Sequence, residues 1–362
     1  LGGMGYFSGS VQLKRKDADA HKLMGFSSQL FSATPSRSFF PRGFAWDEGF
    51  HELLVQRWNS ALAGDVLSHW MHTLHSHASK DGGCPGGWLP REQVLGESAI
   101  RRVPQEFLAQ DVTVTNPPTL LLLLETLSSK TAGARPDWLS TTLVPALYPR
   151  AKAWLEWMLY SQRSPVSNSS AMTFQWRGRD PHEEKLMPTT FASGLDDYPR
   201  ALFPSQDEEH LDLLCWIAHG ASLLSRIAAQ LQESARNPDE AKRYAVDAEG
   251  FLLLKQTLLE SLEAVHWSEK DQAYFDRGLT FGMPRRKPKE GASTAKPGIA
   301  TFGTDVVIGC GSPNGKHTLQ VAVPYDYRGD AQQAHSPGGC AIRLPRRCSA
   351  RTGQGREAGL PR

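Results

Sequence analysis

At 362 residues with 40% hydrophobic side chains, the chain is long enough for one large domain or two ordinary ones and apolar enough for a sizeable core. Its 40 Lys and Arg against 38 Asp and Glu leave a net charge of +2. That balance offers no electrostatic footprint for nucleic acid or an acidic lipid surface, and it points to a neutral ligand. The five cysteines, Cys84, Cys215, Cys310, Cys340 and Cys348, have neither metal-ligand nor disulfide-framework spacing. No run approaches bilayer-spanning length and the first residues do not read as a signal peptide. A chain that opens on Leu1 is expected to be a fragment.

In chain order, residues 1–36 mix Gly, Ser and Lys with short apolar pieces and are expected to form a loop leading into the domain. The segment Phe39 to His51 runs into Leu53, Leu54, Val55 and Trp58, spaced for an amphipathic helix that Asp47 could cap. A second helix is predicted after Asn59, carrying Leu62, Val66, Trp70 and Leu74. Gly, Cys and Pro between Ser79 and Pro90 mark a loop.

Asn116-Pro117-Pro118-Thr119 sets up the next helix, with proline in its first turn. That helix, Leu120 to Leu127, is apolar all round and should be buried. Pro136 to Tyr160 predicts a helix pair or one kinked helix, with Trp138, Leu143, Leu147, Trp154 and Trp157 on one side and Pro145 and Pro149 forcing irregularity. His210 to Leu231 and Pro238 to Trp267 return to helical periodicity around a polar turn at Asn237.

About six helices with almost no strand pattern argue for an all-α domain over residues 37–282. Short turns alternating with long loops suit an α/α toroid whose long loops gather over one face. From 283 to 362 the Gly, Pro and Arg-rich sequence carries only brief apolar pieces, Val306 to Ile308 and Leu319 to Val323, and predicts a mostly disordered tail.

The chemistry is expected in the long irregular stretch 164–206, since long loops within compact domains are usually functional. There, Pro188 to Arg200 delivers two adjacent carboxylates, Asp196 and Asp197, beside Tyr198 and Arg200, with Gly194 allowing a sharp turn. Neighbouring acids point different ways. One can be kept protonated as a general acid while the other stays ionised to accept ligand hydroxyls or pair with Arg200. The alternative is a turn that caps a helix. Ten Trp residues, several beside acids or arginines, suit flat contacts with sugar faces as well as core filling.

The strings Ser36 to His51 (SRSFFPRGFAWDEGFH), Arg91 to Gly96 (REQVLG), Asn116 to Leu120 (NPPTL), Trp176 to Asp180 (WRGRD) and Ser193 to Ala201 (SGLDDYPRA), in this order, closely resemble glycoside hydrolase family 63, the family of the processing α-glucosidases. The resemblance implies a partial (α/α)6 toroid. It also implies removal of the terminal α-1,2-linked glucose from the triglucosylated N-glycan precursor, with inversion, in the lumen of the endoplasmic reticulum. The family's general acid is the first Asp of its SGLDD motif, here Asp196. The sugar pocket implied by the Phe-x-Trp-Asp segment gives Phe44, Trp46 and Asp47, with Glu92, Trp176, Arg177, Asp197 and Arg200 as further candidate contacts. No metal or organic cofactor is implied. The partner is the glucosylated N-glycan of a nascent glycoprotein, and membrane attachment would require an anchor that this chain lacks.

The resemblance also has gaps. The family carries its general base as a Glu in an aromatic-rich stretch that is not found here, Glu357 standing instead among Gly, Arg and Pro. The family's N-terminal β-sandwich has no counterpart in the sequence. Lys80 to Gly87 reads as inserted before Trp88 to Gln93 and is expected to bear on the position of Glu92. A catalytically inactive carbohydrate-binding remnant is therefore the alternative function. Two further readings concern other stretches. His69, His72, His75 and His77 have partial metal-ligand spacing, with ordinary helix histidines preferred. Asn168-Ser169-Ser170 is a glycosylation sequon.

Overall fold

The computed structural model describes residues 2–14, 23–75, 86–129, 136–167, 171–180, 187–201 and 204–278, together with the backbone of 303–312, 315–324 and 341–343. The Asn168 sequon, His77 and Lys80 to Cys84 lie outside the described residues.

The chain opens with an antiparallel hairpin where a loop was expected. β1 (Met4–Leu13) pairs with β2 (Leu23–Ala33) from Met4 opposite Ala33 to Leu13 opposite Leu23, with a register shift between Ser10 and Gln12. The Gly and Ser content concealed a period-two pattern that buries Val11 on one strand and Leu30 on the other. β3 (Gly43–Phe44) leads into α1 (Ala45–Trp58), and α2 (Ser60–His72) follows directly. As expected, α2 starts after Asn59, whose side chain accepts from the Leu62 N–H at 3.0 Å. Trp70 of α2 is fully buried and donates its indole N–H to Ser32 Oγ at 3.2 Å, tying the helix to β2.

Two expectations about α1 are corrected. Its N-cap is Phe44, not Asp47, with no side-chain cap. Its orientation is also largely reversed: Glu48, Glu52 and Gln56 are buried, whereas of the expected apolar set Leu54 and Trp58 are exposed and Val55 packs against the core. Gly49 accounts for the reversal, because a Cβ there would lie 2.3 Å from Thr119 Oγ1 and 2.4 Å from the Thr119 backbone carbon. The polar side is the one that can approach so closely. Gly49→Ala is expected to cost roughly 1–3 kcal/mol through overpacking, read as a lowered thermal unfolding midpoint.

β4 (Glu92–Gln93) pairs with β3, Phe44 opposite Glu92. The short helices α3 (Glu97–Ile100) and α4 (Gln105–Leu108) precede β5 (Ala109–Gln110), which runs parallel to β1. α5 (Leu120–Ser128) is buried as its composition predicted, its N-cap being Thr119 with both prolines before the helix. A π-helical stretch, Leu139–Leu143, runs into α6 (Val144–Ser161), the irregularity that Pro145 and Pro149 foretold. Trp154 and Trp157 are buried, but Trp138 is exposed.

α7 (Leu211–Glu233) and α8 (Pro238–Ser261) form a packed helical hairpin. At the turn, Asn237 accepts from the Glu240 N–H at 2.9 Å and Glu240 accepts from the Arg236 N–H at 2.9 Å. α7 is long and apolar enough by composition to cross a bilayer, contrary to expectation. Its apolar face, with Leu213, Leu214, Ile217, Leu224 and Ile227 buried, lies in the core beside α6 and α8.

A π-helical turn, Leu262–His266, leads to β6 (Trp267–Ser268) and β7 (Ala273–Phe275). β8 (Gly303–Ser312) and β9 (Gly315–Pro324) form a second long hairpin, and β10 (Ala341–Arg343) lies between β9 and β7. These strands fall in the stretch read as disordered. The β-branched residues of 306–308 and 319–323 favour the pairing. The architecture is therefore broadly helical, with eight α-helices among the described residues, and it carries small sheets that an all-α reading omits.

Candidate active site

The paired acids sit on a loop that is tied down along its length. Its base closes where the Arg200 N–H donates to the Pro188 carbonyl at 2.7 Å. Residues Phe191–Ser193 form a 3-10 turn, and Asn116 Nδ2 donates to the carbonyls of Phe191 at 3.2 Å and Ala192 at 3.0 Å. The turn ends at Gly194 in the left-handed region, φ 71°. A Cβ there would lie 2.5 Å from Trp46 Cδ2, so the loop rests with bare backbone on the Trp46 ring. Asp196 and Asp197 follow after Leu195, largely solvent-facing and without a hydrogen bond or ion pair among the described residues. They do not cap a helix.

The floor beneath the loop is built from the segment containing Phe44, Trp46 and Asp47. Thr119 Oγ1 donates to the Trp46 carbonyl at 2.7 Å, and the Trp46 ring meets Phe50 edge-on at 5.0 Å between centroids. Beside it, Glu92 is almost fully buried between Arg42, at 2.7 Å, and Arg91. Arg42 stacks 4.7 Å from the Phe44 ring centre. His75 and Trp88 form a bridge that closes off the intervening stretch, leaving β4 opposite β3.

Electrostatics set the two facing acids apart from ordinary surface carboxylates. Partial burial pushes the Asp196 carboxyl up; Arg91 opposes the shift, while Asp197 and Glu92 add to it. Asp47 is pushed up by burial as well. His51 pulls it back, and Asp196 and Glu48 reinforce the rise. The Asp196 carboxylate therefore bears on Asp47 and makes it harder to ionise.

Trp46 and Asp47 thus lie beside the loop that carries Asp196 and Asp197, and Phe44 stands next to them at the start of α1 against Arg42. The remaining expected contacts have other duties. Glu92, Trp176 and Arg200 are all buried and already engaged. Trp176 donates its indole N–H to Asp212 Oδ2 at 3.0 Å. Arg200 is clamped on Asp212 at 2.7 and 3.0 Å and on Asp276 at 2.6 Å, not paired with Asp197. Burial works against its charge, but the two carboxylates more than compensate and hold Arg200 protonated. Asp276 also accepts the Leu211 N–H at 2.8 Å, so the loop is anchored to the first turn of α7. Arg177 is half-buried on the carbonyls of Ser161 and Arg163, and burial lowers its pKa. It lines a cavity of about 410 Å³ that also borders Arg91, Thr190 and Phe191.

Reading the sequence missed Asp212 and Asp276, which complete the Arg200 clamp, and Glu208, which binds Arg179 and accepts from His210 Nε2 at 3.0 Å, the His210 Nδ1 accepting from the Trp176 N–H. Burial raises Glu208, but the His210 hydrogen bond and the Arg179 charge hold it below its ordinary range. Asp212 had one signal, its place in the first turn of a strong helix. The others had none, because their partners are remote in sequence. Among the described residues no cluster of three or more His, Cys, Asp or Glu could hold a metal ion. His69 and His72 face the carbonyls of Gln29 and Ser68.

An acid loop resting on an aromatic floor in a mainly helical scaffold is an arrangement suited to carbohydrate chemistry. Residues 1–298 match the glycosyl hydrolase family 63 C-terminal domain, and the chain belongs to that family. It is 36% identical over 289 residues to mannosyl-oligosaccharide glucosidase GCS1 of Arabidopsis thaliana, covering 77% of this chain and 32% of that protein. It is 35% identical to alpha-glucosidase 2 of the same organism, over 77% of this chain and 34% of that one. To the mannosyl-oligosaccharide glucosidase of Saccharomyces cerevisiae it is 28% identical, over 76% and 36%. The chain spans about a third of the length of these curated relatives.

Proposed function

We propose that the chain is catalytic-domain sequence of a processing α-glucosidase. It would remove the terminal α-1,2-linked glucose from a triglucosylated N-glycan precursor, with inversion, on the luminal side of the endoplasmic reticulum. The observation that carries this reading is Asp196: a solvent-facing acid on a braced loop beside Trp46, with its proton held more tightly than usual by partial burial and by neighbouring carboxylates. The names of the relatives support the substrate class. The helical pairs α1 with α2 and α7 with α8 suit part of an (α/α)6 ring.

In this mechanism Asp196 gives its proton to the glycosidic oxygen as the bond to the glucosyl C1 breaks. In the same step a water on the opposite face of the ring attacks C1 and gives its proton to a carboxylate base, the role the family gives to a Glu in the aromatic-rich stretch not found in this sequence. Phe44 and Trp46 offer apolar faces to the sugar, and Asp47 and Asp197 accept from its hydroxyls. Glu92 acts by fixing Arg91, while Trp176 and Arg200 hold the loop from behind. Arg177 borders the cavity that receives the rest of the glycan.

The test is incubation of the purified protein with a triglucosylated oligosaccharide, with the released sugar followed by proton NMR. β-Glucose appearing first is expected. α-Glucose appearing first would overturn inversion, and binding without any glucose release would overturn the enzyme reading.

A further inference from the structure

The inner side of α1 is polar where a core-facing helix is ordinarily apolar. Glu48 and Glu52, one turn apart, are both fully buried. Glu48 is well partnered: Oε1 accepts from the Ala33 N–H at 3.0 Å, and Oε2 faces His51 Nδ1 at 3.1 Å. Glu52 is not. Neither of its oxygens meets an N–H or O–H donor among the described residues, and the group it faces is the Glu48 carboxyl. A buried carboxylate without a donor is too costly to persist, and two ionised carboxylates cannot share such a place. The arrangement is relieved when Glu52 keeps its proton and donates it to Glu48.

We infer that Glu52 and Glu48 hold one proton between them, Glu52 as donor and Glu48 as ionised acceptor, so that Glu48 keeps His51 charged and His51 keeps Asp47 ionised beside the Asp196 loop. All three are positioning residues. Glu52 is pushed up to about 8 by burial and by Glu48. His51 is raised chiefly by its Glu48 hydrogen bond, against the effect of burial.

The surrounding charges leave this relay to itself. On α1 they are Asp47 and His51, and across the cleft Asp196 bears on Asp47. α5 contributes Glu125, which is engaged with Arg226 and His219. α2 contributes Asp65, which is exposed, and His69 and His72, which are turned to backbone carbonyls. β2 presents the Ala33 N–H and β3 carries no charge.

The experiment follows the His51 imidazole by NMR through a pH titration of the intact chain. The wild-type midpoint is expected above the ordinary value of about 6.5. Glu52→Gln, a neutral isostere of the protonated acid, should leave it in place, and Glu48→Gln should bring it down. If Glu52 were ionised, its replacement would remove a negative charge near His51. The midpoint would then fall in Glu52→Gln as it does in Glu48→Gln, and the inference would be overturned. Failure of Glu52→Gln to fold would also count against it, because Gln offers Glu48 the same donor.

Stability gives a second reading. Because Glu52 is raised in the folded state, its contribution is complete below its unfolded value of about 4.3 and is lost as pH rises through about 8. The thermal midpoint of wild type should therefore fall relative to Glu52→Gln across that window, and parallel curves would refute the proton sharing. Only the last link rests on the glycosidase reading: sugar binding through ionised Asp47 should weaken on the acid side at higher pH in Glu48→Gln and keep the wild-type pH dependence in Glu52→Gln. His51 titrates whether or not the protein hydrolyses glycans, so the two failures are distinguishable.

Discussion

Asp196→Asn is expected to lower kcat for glucose release by roughly 10²–10⁴-fold, the range general acid catalysis supplies, while the dissociation constant for the glycan stays within a few-fold of wild type. The side chain is nearly isosteric and has no internal hydrogen bond or ion pair to lose among the described residues. The loop should therefore keep its shape, resting on Trp46 through Gly194 and held by Asn116. What disappears is the proton. Because burial and the neighbouring carboxylates raise Asp196, the alkaline limb of the wild-type pH–rate profile should lie above the ordinary aspartate range, and the variant should lack that limb. An activated aryl glucoside, whose leaving group needs little protonation, should be hydrolysed with a much smaller deficit. Equal loss of turnover and binding would mean that Asp196 holds the sugar and does not protonate the leaving group.

Arg200→Met is expected to destabilise the fold by about 3–5 kcal/mol, the usual consequence of leaving buried carboxylates without their cation. Asp212 and Asp276 both depend on this guanidinium, and Asp276 also caps the start of α7. Arg200→Lys should recover little, because one ammonium cannot reproduce the two-pronged contact with Asp212 and also reach Asp276. Asp212 resists protonation: burial raises it, but Arg200 prevails and depresses it. Its contribution is thus fully present above its unfolded value of about 3.9 and is lost as pH falls through the lower folded value. The gap between wild type and Arg200→Met in urea unfolding should accordingly be wide at neutral pH and narrow in acid. A loss under about 1 kcal/mol at neutral pH, the worth of an exposed pair, would show that the clamp is dispensable.

Both predictions come from one loop, yet they differ in how far sequence alone could reach them. Asp196 could be singled out because its signal is local: two acids on a glycine turn, within a string that resembles a known family. Arg200 stands in the same string and was read as a ligand contact or a partner of Asp197. Its actual partners, Asp212 and Asp276, are 12 and 76 residues away, and nothing in local spacing announces them. The hydrogen bond of Trp176 was hidden for the same reason, since the Asp212 that accepts its indole N–H is 36 residues distant.

The helices divide along the same line. Asn59 and Asn237 accept from the residues three ahead of them, so the starts of α2 and α8 follow from a few consecutive residues. The Leu120 to Leu127 run is apolar on every side and buries itself whichever way it turns. For α1 the choice of face was open to sequence, and hydrophobic periodicity chose the wrong one. The contact of Gly49 with Thr119 and the pairing of Glu48 with Ala33 decided it instead.

What the sequence determined by itself is the family and the helices whose signals lie within one turn, and it singled out the loop on which the proposed acid stands. Which carboxylates stand free to meet a sugar, and which are locked on arginines or share a proton, was decided only by the tertiary structure. Burial and partner identity belong to residues brought together from distant parts of the chain, and these two quantities shift Asp47 and Asp196 upward and Asp212 downward.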